Sequence, residues 1–82
     1  MFLDLQNNEA NKLKKLGFKP NKWHSDGIEF NELYKHFGNG IMLEICSYDD
    51  KHVISLTINK GYCELAIESF EELLSLIKIL DK

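Results

Sequence analysis

Apolar positions along the chain change period twice, dividing it into helix, sheet and helix. From about Asp4 to Leu16 the residues Leu5, Leu13 and Leu16, with Phe2 if the helix begins earlier, share one stripe at about 100° per residue. Asp4 is a capping residue for the start, and Glu9 interrupts the stripe. The end is better marked. Gly17 stands where a left-handed residue closes a helix, Phe18 reaches back to Leu13, and Pro20 blocks continuation.

From Ile28 to Ile67 the period becomes two, with strands expected at Ile28–Phe37, Ile41–Tyr48, His52–Ile58 and Tyr62–Ile67. Gly38-Asn39-Gly40, Asp49-Asp50-Lys51 and Asn59-Lys60-Gly61 separate them with turn chemistry. Two-residue turns at Asn39-Gly40, Asp49-Asp50 and Lys60-Gly61 set Leu43 opposite His36 and Leu56, Leu56 opposite Leu65, and Ile58 opposite Cys63. That register gathers Ile28, Phe30, Tyr34, Ile41, Leu43, Ile45, Ile54, Leu56, Ile58, Cys63, Leu65 and Ile67 on one face. A one-residue slip at any turn would scramble it. The other face then carries Lys35, Phe37, Met42, Glu44, Cys46, Tyr48, Val53, Ser55, Thr57, Tyr62, Glu64 and Ala66, with Lys35 opposite Glu44.

Helical period returns at Ser69-Phe70-Glu71-Glu72, a capping box, followed by the stripe Phe70, Leu73, Leu74, Ile77 and Leu80. Leu76 and Ile79 fall outside that stripe, so more of this helix is apolar than one sheet contact covers. They are candidate contacts of a homodimer. Trp23 opens a further short strand if the chain turns at Ser25-Asp26-Gly27 and pairs back on Ile28–Phe30. The expected fold is α+β, one domain over residues 1–82. It has two layers, with a four-stranded antiparallel meander, extended to five by Trp23, and an N-terminal and a C-terminal helix on one face.

Composition narrows the function. At 44% hydrophobic and 28% charged residues the chain is ordinary for a globular domain. No apolar run approaches the roughly 18–20 residues that span a bilayer, and MFLDL lacks the basic start of a signal peptide. A cytoplasmic protein with no membrane contact is expected. All ten basic residues are lysine, which removes arginine, the principal reader of guanine and phosphate. The abundance of lysine, isoleucine and asparagine suits an A+T-rich coding sequence, as in many bacteria and their phages. Charge is uneven: residues 10–25 hold Lys12, Lys14, Lys15, Lys19 and Lys22 and no acid, on a chain of net charge −3.

Catalytic and metal constellations fail on spacing. Cys46 and Cys63 point to opposite faces in the expected register, too far apart for a disulfide. Cys63 and His36 share a face but lie three strands apart, about 14 Å, where a nucleophile and its base need about 3 Å. Glu32, Ser47 and His52 align in one row with serine in the middle, the wrong order for a triad. His24, His36 and His52 lack ligand spacing, there is no Cys-x-x-Cys, and Asp49-Asp50 is not a calcium loop. No enzyme activity and no cofactor are expected.

What remains is contact surface. The leading expectation is a non-catalytic protein-protein interaction module, self-associating and occluding a protein partner. One concrete version is an inhibitor or regulator of a host system carried by a phage or mobile element. Candidate partner-binding residues are Lys14, Lys15, Lys19, Lys22, Trp23, Phe37, Met42, Tyr48 and Tyr62. The second expectation is a nucleic-acid-associated module using Lys12–Lys22, with Trp23 stacking on a base. The third is a small-ligand binder with Tyr34 and His36 in a pocket between the layers.

Overall fold

A computed structural model describes residues 8–38, 40–48 and 51–81. Helix α1 (Asn8–Lys15) precedes five strands, β1 (Lys19–Ser25), β2 (Ile28–Gly38), β3 (Ile41–Tyr48), β4 (Lys51–Ile58) and β5 (Gly61–Leu65). Helix α2 (Phe70–Leu80) follows. The strands form one antiparallel meander in the order β1-β2-β3-β4-β5. The expected cap Asp4 and the apolar Phe2 and Leu5 lie outside the described residues, as do Asn39 and the Asp49-Asp50 turn. No described helix is long and apolar enough to cross a membrane.

Both helix signals in the sequence are realised. Gly17, at φ 103°, donates its N–H to Lys14 O at 3.1 Å, and Phe18 donates to Leu13 O at 3.1 Å. These are the paired bonds of a Schellman ending, with Phe18 and Leu13 both buried. At α2, Ser69 Oγ accepts the Glu72 N–H at 3.1 Å, satisfying a donor that the first helical turn leaves free.

The core is thin and sits on one side of the sheet. Ala10 and Leu13 of α1, Phe18, Leu73 and Ile77 of α2, and the sheet residues Leu33, Leu43, Ile45 and Ile54 form it. Both helices therefore cover the same face. Leu76 is half-buried and packs against this core, whereas Ile79 is 64% exposed.

Three features of the expected sheet need correction. First, β1 begins at Lys19, four residues before Trp23, the expected opening of the further short strand. Every residue of this edge strand is exposed, and period-two burial has nothing to act on there. Asp26 (φ 52°) and Gly27 (φ 77°) make the two-residue turn into β2, both left-handed as a type I′ hairpin requires.

Second, a β-bulge interrupts β2. Gly38 pairs with Ile41, but His36 pairs with Met42, so Phe37 is an extra residue. Upstream of it the register shifts by one, and Leu33 faces Ile45 while Lys35 faces Leu43. Residues Ile28, Phe30, Tyr34 and His36 thus leave the helix-covered face, and Lys35 and Phe37 enter it. The physical reason lies in Glu32 and His36. Without the bulge both would sit under the helices, and burying a charge without a partner is costly. With it, Leu33 is the buried residue, and Lys35 replaces them at the rim with its own partners.

At the β4–β5 hairpin the turn is Asn59-Lys60, not Lys60-Gly61, so Ile58 pairs with Gly61, Leu56 with Cys63 and Ile54 with Leu65. A two-residue slip preserves the faces. Asn59 accepts φ 55°, and its N–H bonds Gly40 O at 2.9 Å, tying this turn to the neighbouring one.

Candidate interaction surface

The bulge determines what the uncovered face of the sheet carries. Trp23 pairs with Phe30, and Tyr48 lies beside Phe30 on β3. The Trp23 and Phe30 rings stack at 5.2 Å and 5°, and Phe30 and Tyr48 meet at 5.0 Å and 40°. Register places Asn21, Glu32, Cys46 and Val53 in the next row, then Lys19, Tyr34, Glu44, Ser55 and Glu64. His36, Met42, Thr57 and Tyr62 form the last row, with His36 edge-on to Tyr34 at 6.0 Å.

Several expected contact residues meet on this face: Lys19, Trp23, Met42, Tyr48 and Tyr62. Phe37 does not, because the bulge turns it to the helices, where its ring meets Phe18 edge-on at 6.4 Å. Lys35 leaves with it, so the expected Lys35–Glu44 pair is replaced by Tyr34–Glu44. Lys22 points to the helix-covered side and pairs with Glu29 at 2.7 Å; this contact lowers the Glu29 pKa. Lys14 and Lys15 are exposed on α1, and Lys12 lies over the Phe70 ring at 5.8 Å. The basic segment is thus divided among a helix and both sides of β1.

Sequence reasoning missed Phe30 and Glu32 as surface residues. Its available signal was Gly38, a glycine just before the Asn39-Gly40 turn, since a glycine beside a hairpin turn is a bulge marker. Tyr34 and His36 also stand on the open face, so the expected ligand pocket between the layers does not contain them.

The centre of the open face is a carboxyl pair. Partial burial, a side-chain hydrogen bond with Glu44 and the Glu44 charge push the Glu32 pKa up to about 7, while the Asn21 amide opposes the shift. Unfolded, this carboxyl titrates near 4.3. Between these values the folded chain holds a proton that the unfolded chain has released. Stability therefore falls as pH rises through that window, and the penalty is complete above the folded value. Glu32→Gln removes it. The variant is expected to match the parent near pH 4, at the lower end of that window, and to exceed it at pH 8 by about 1 kcal/mol, a figure reduced for solvent screening. Thermal unfolding at the two pH values checks this, and an equal difference at both would refute it.

The same carboxylates work against activation of the Cys46 thiol. Burial and then the charges of Glu32 and Glu44 raise the Cys46 pKa, the reverse of what a nucleophilic cysteine needs. Cys46 and Cys63 are both free thiols. Cys63 pairs with Leu56 on the helix-covered side, away from His36, which the bulge has moved to the open face. Ser47 and His52 do pair, but the third member of their row is Asn31 rather than Glu32. Among the described residues no group of three or more His, Cys, Asp or Glu is placed to hold a metal ion.

Comparison with protein-family models, curated proteins and solved structures finds no match to this chain.

Proposed function

We propose that this chain is a non-catalytic protein-binding module that docks its partner on the open face of the sheet. The observation carrying this reading is the Trp23–Phe30–Tyr48 stack, whose outer ring, Trp23, is 37% exposed. Exposed aromatics held rigid by stacking contribute large contact area at little entropic cost, as binding hot spots do. Glu32, Glu44 and Glu64 on the same face give the partner its chemistry: an apolar patch bordered by basic groups. An open sheet face of this size would act by covering a surface, which suits an inhibitor or regulator of the kind expected from size and composition.

Nucleic acid is the less favoured partner. Aromatic residues on a sheet can stack bases, but carboxylates at the centre of the face repel phosphate. The lysines that would offset them are divided between two sides of β1 and α1. A mobility shift with DNA or RNA at low salt, abolished by Lys14→Ala/Lys15→Ala, would reverse this preference.

The test uses the tagged chain as bait in lysate of its source cell, alongside Trp23→Ala and Lys14→Ala/Lys15→Ala. A protein held by the parent should bind Trp23→Ala about 30-fold more weakly, the equivalent of a 2 kcal/mol hot spot. The lysine variant should retain it. A prey indifferent to Trp23→Ala would refute the reading.

A further inference from the structure

The meander leaves two strand edges, and their chemistry differs. The outer edge of β1 includes Pro20, which has no N–H, together with Lys19 and Lys22. Proline and lysine are the residues that guard an edge against pairing. The β5 edge carries neither. The two-residue turn makes Ile58–Gly61 the closing pair, so the backbone groups of Gly61, Cys63 and Leu65 point to β4. Those of Tyr62 and Glu64 point outward, where none of the described strands receives them. Apolar surface flanks this edge, with Tyr62 67% and Ile58 49% exposed.

We propose that two copies of this chain join antiparallel through β5, about a two-fold axis at Cys63, into one continuous sheet. The occupant is a second copy because the edge is self-complementary. With the axis at Cys63, Tyr62 of each copy faces Glu64 of the other, and these are the two residues with outward backbone groups. Each such pair exchanges both backbone hydrogen bonds. Their side chains share the open face, so the Tyr62 hydroxyl donates to the Glu64 carboxylate of the second copy. Other registers are worse. An axis at Glu64 sets two carboxylates directly opposite each other, and one at Tyr62 runs each strand into the Asn59-Lys60 turn. A one-residue shift matches outward groups with inward ones. This interface shares Glu64 with the open face but none of the rings of Trp23, Phe30 and Tyr48, so a dimer lost in Glu64→Pro and a partner lost in Trp23→Ala are distinguishable outcomes.

The axis brings the two Cys63 residues together as a non-hydrogen-bonded pair, with Cα atoms about 4.5 Å apart. Bismaleimidoethane added to the full chain is therefore expected to yield a covalent dimer, retained in Cys46→Ser and lost in Cys63→Ser. Sedimentation velocity from micromolar to millimolar concentration should show a concentration-dependent dimer, abolished by Glu64→Pro. The N–H that this proline removes faces solvent in the single copy, so the fold is kept. Ile79→Glu should leave the dimer intact. A monomer throughout the range, a dimer that survives Glu64→Pro, or one abolished by Ile79→Glu would overturn the proposal. If Glu64→Pro does not fold, presence or absence of the Cys63 cross-link decides alone.

Discussion

Leu43→Ala is expected to remove about 2–5 kcal/mol of stability, the cost of truncating a fully buried leucine. Leu43 sits on the central strand, is 0% exposed, and belongs to the core shared by both helices. At roughly 0.05–0.15 kcal/mol per residue a chain of this length holds about 4–12 kcal/mol in all. One substitution thus takes a large share of the total. A small two-layer domain has few other buried side chains to close the cavity, which favours the upper part of the range. Urea denaturation followed by circular dichroism measures the loss directly. A change below about 1 kcal/mol would mean that the helices do not close over β3.

Lys35→Met is expected to cost about 2 kcal/mol, although it replaces a charged residue by an apolar one of similar length beside an apolar core. Lys35 is what the bulge exchanged for Glu32 and His36. Its Nζ donates to Leu16 O at 2.7 Å, lies 3.5 Å from Asp81 Oδ1, and sits over the Phe37 ring at 4.9 Å. One ammonium thereby joins the end of α1, the sheet and the cap of α2. The bond to Leu16 dominates, because the Lys35 side chain is only 17% exposed and the carbonyl belongs to the negative end of a helix dipole. The Asp81 side chain is 54% exposed, so Asp81→Asn should change stability by less than about 0.5 kcal/mol. Equal losses in the two variants would show that the ion pair, not the helix carbonyl, fastens the rim.

The fold was legible wherever one residue type answers one local need. Gly17 with Phe18 announced the end of α1, Ser69 the start of α2, and the turn residues a meander. The register of β2 was not, because it depends on a choice between whole faces. Read locally, Gly38-Asn39-Gly40 accepts a plain two-residue turn. Only the cost of placing Glu32 and His36 beneath two helices favours the extra residue at Phe37. Strand β1 was hard to read for the opposite reason. Nothing covers it, so Lys19, Asn21 and Lys22 leave no burial pattern, and Pro20 is tolerated because edge N–H groups are dispensable.

The surface shows the same division. Met42, Tyr48 and Tyr62 reach the open face in either register of β2, since they lie on β3 and β5, whereas Trp23 is paired with Phe30 and follows it from one face to the other. Phe30, Glu32 and Tyr34 reach it only through the bulge, and with them come the stacked rings and the carboxyl pair that give the face its character. The proposed protein partner, with basic and apolar groups, rests on this aromatic, acidic sheet face and on the division of the lysines between α1 and both sides of β1.

The most direct test of that account is a nuclear magnetic resonance titration of the isotope-labelled chain with the protein it captures. Docking on the open face predicts shifts concentrated on the side chains of Trp23, Phe30, Glu44 and Tyr48, with the exposed side of α1 and α2 silent. Shifts confined to Lys12, Lys14, Lys15 and Ile79, with the aromatic stack unmoved, would contradict it.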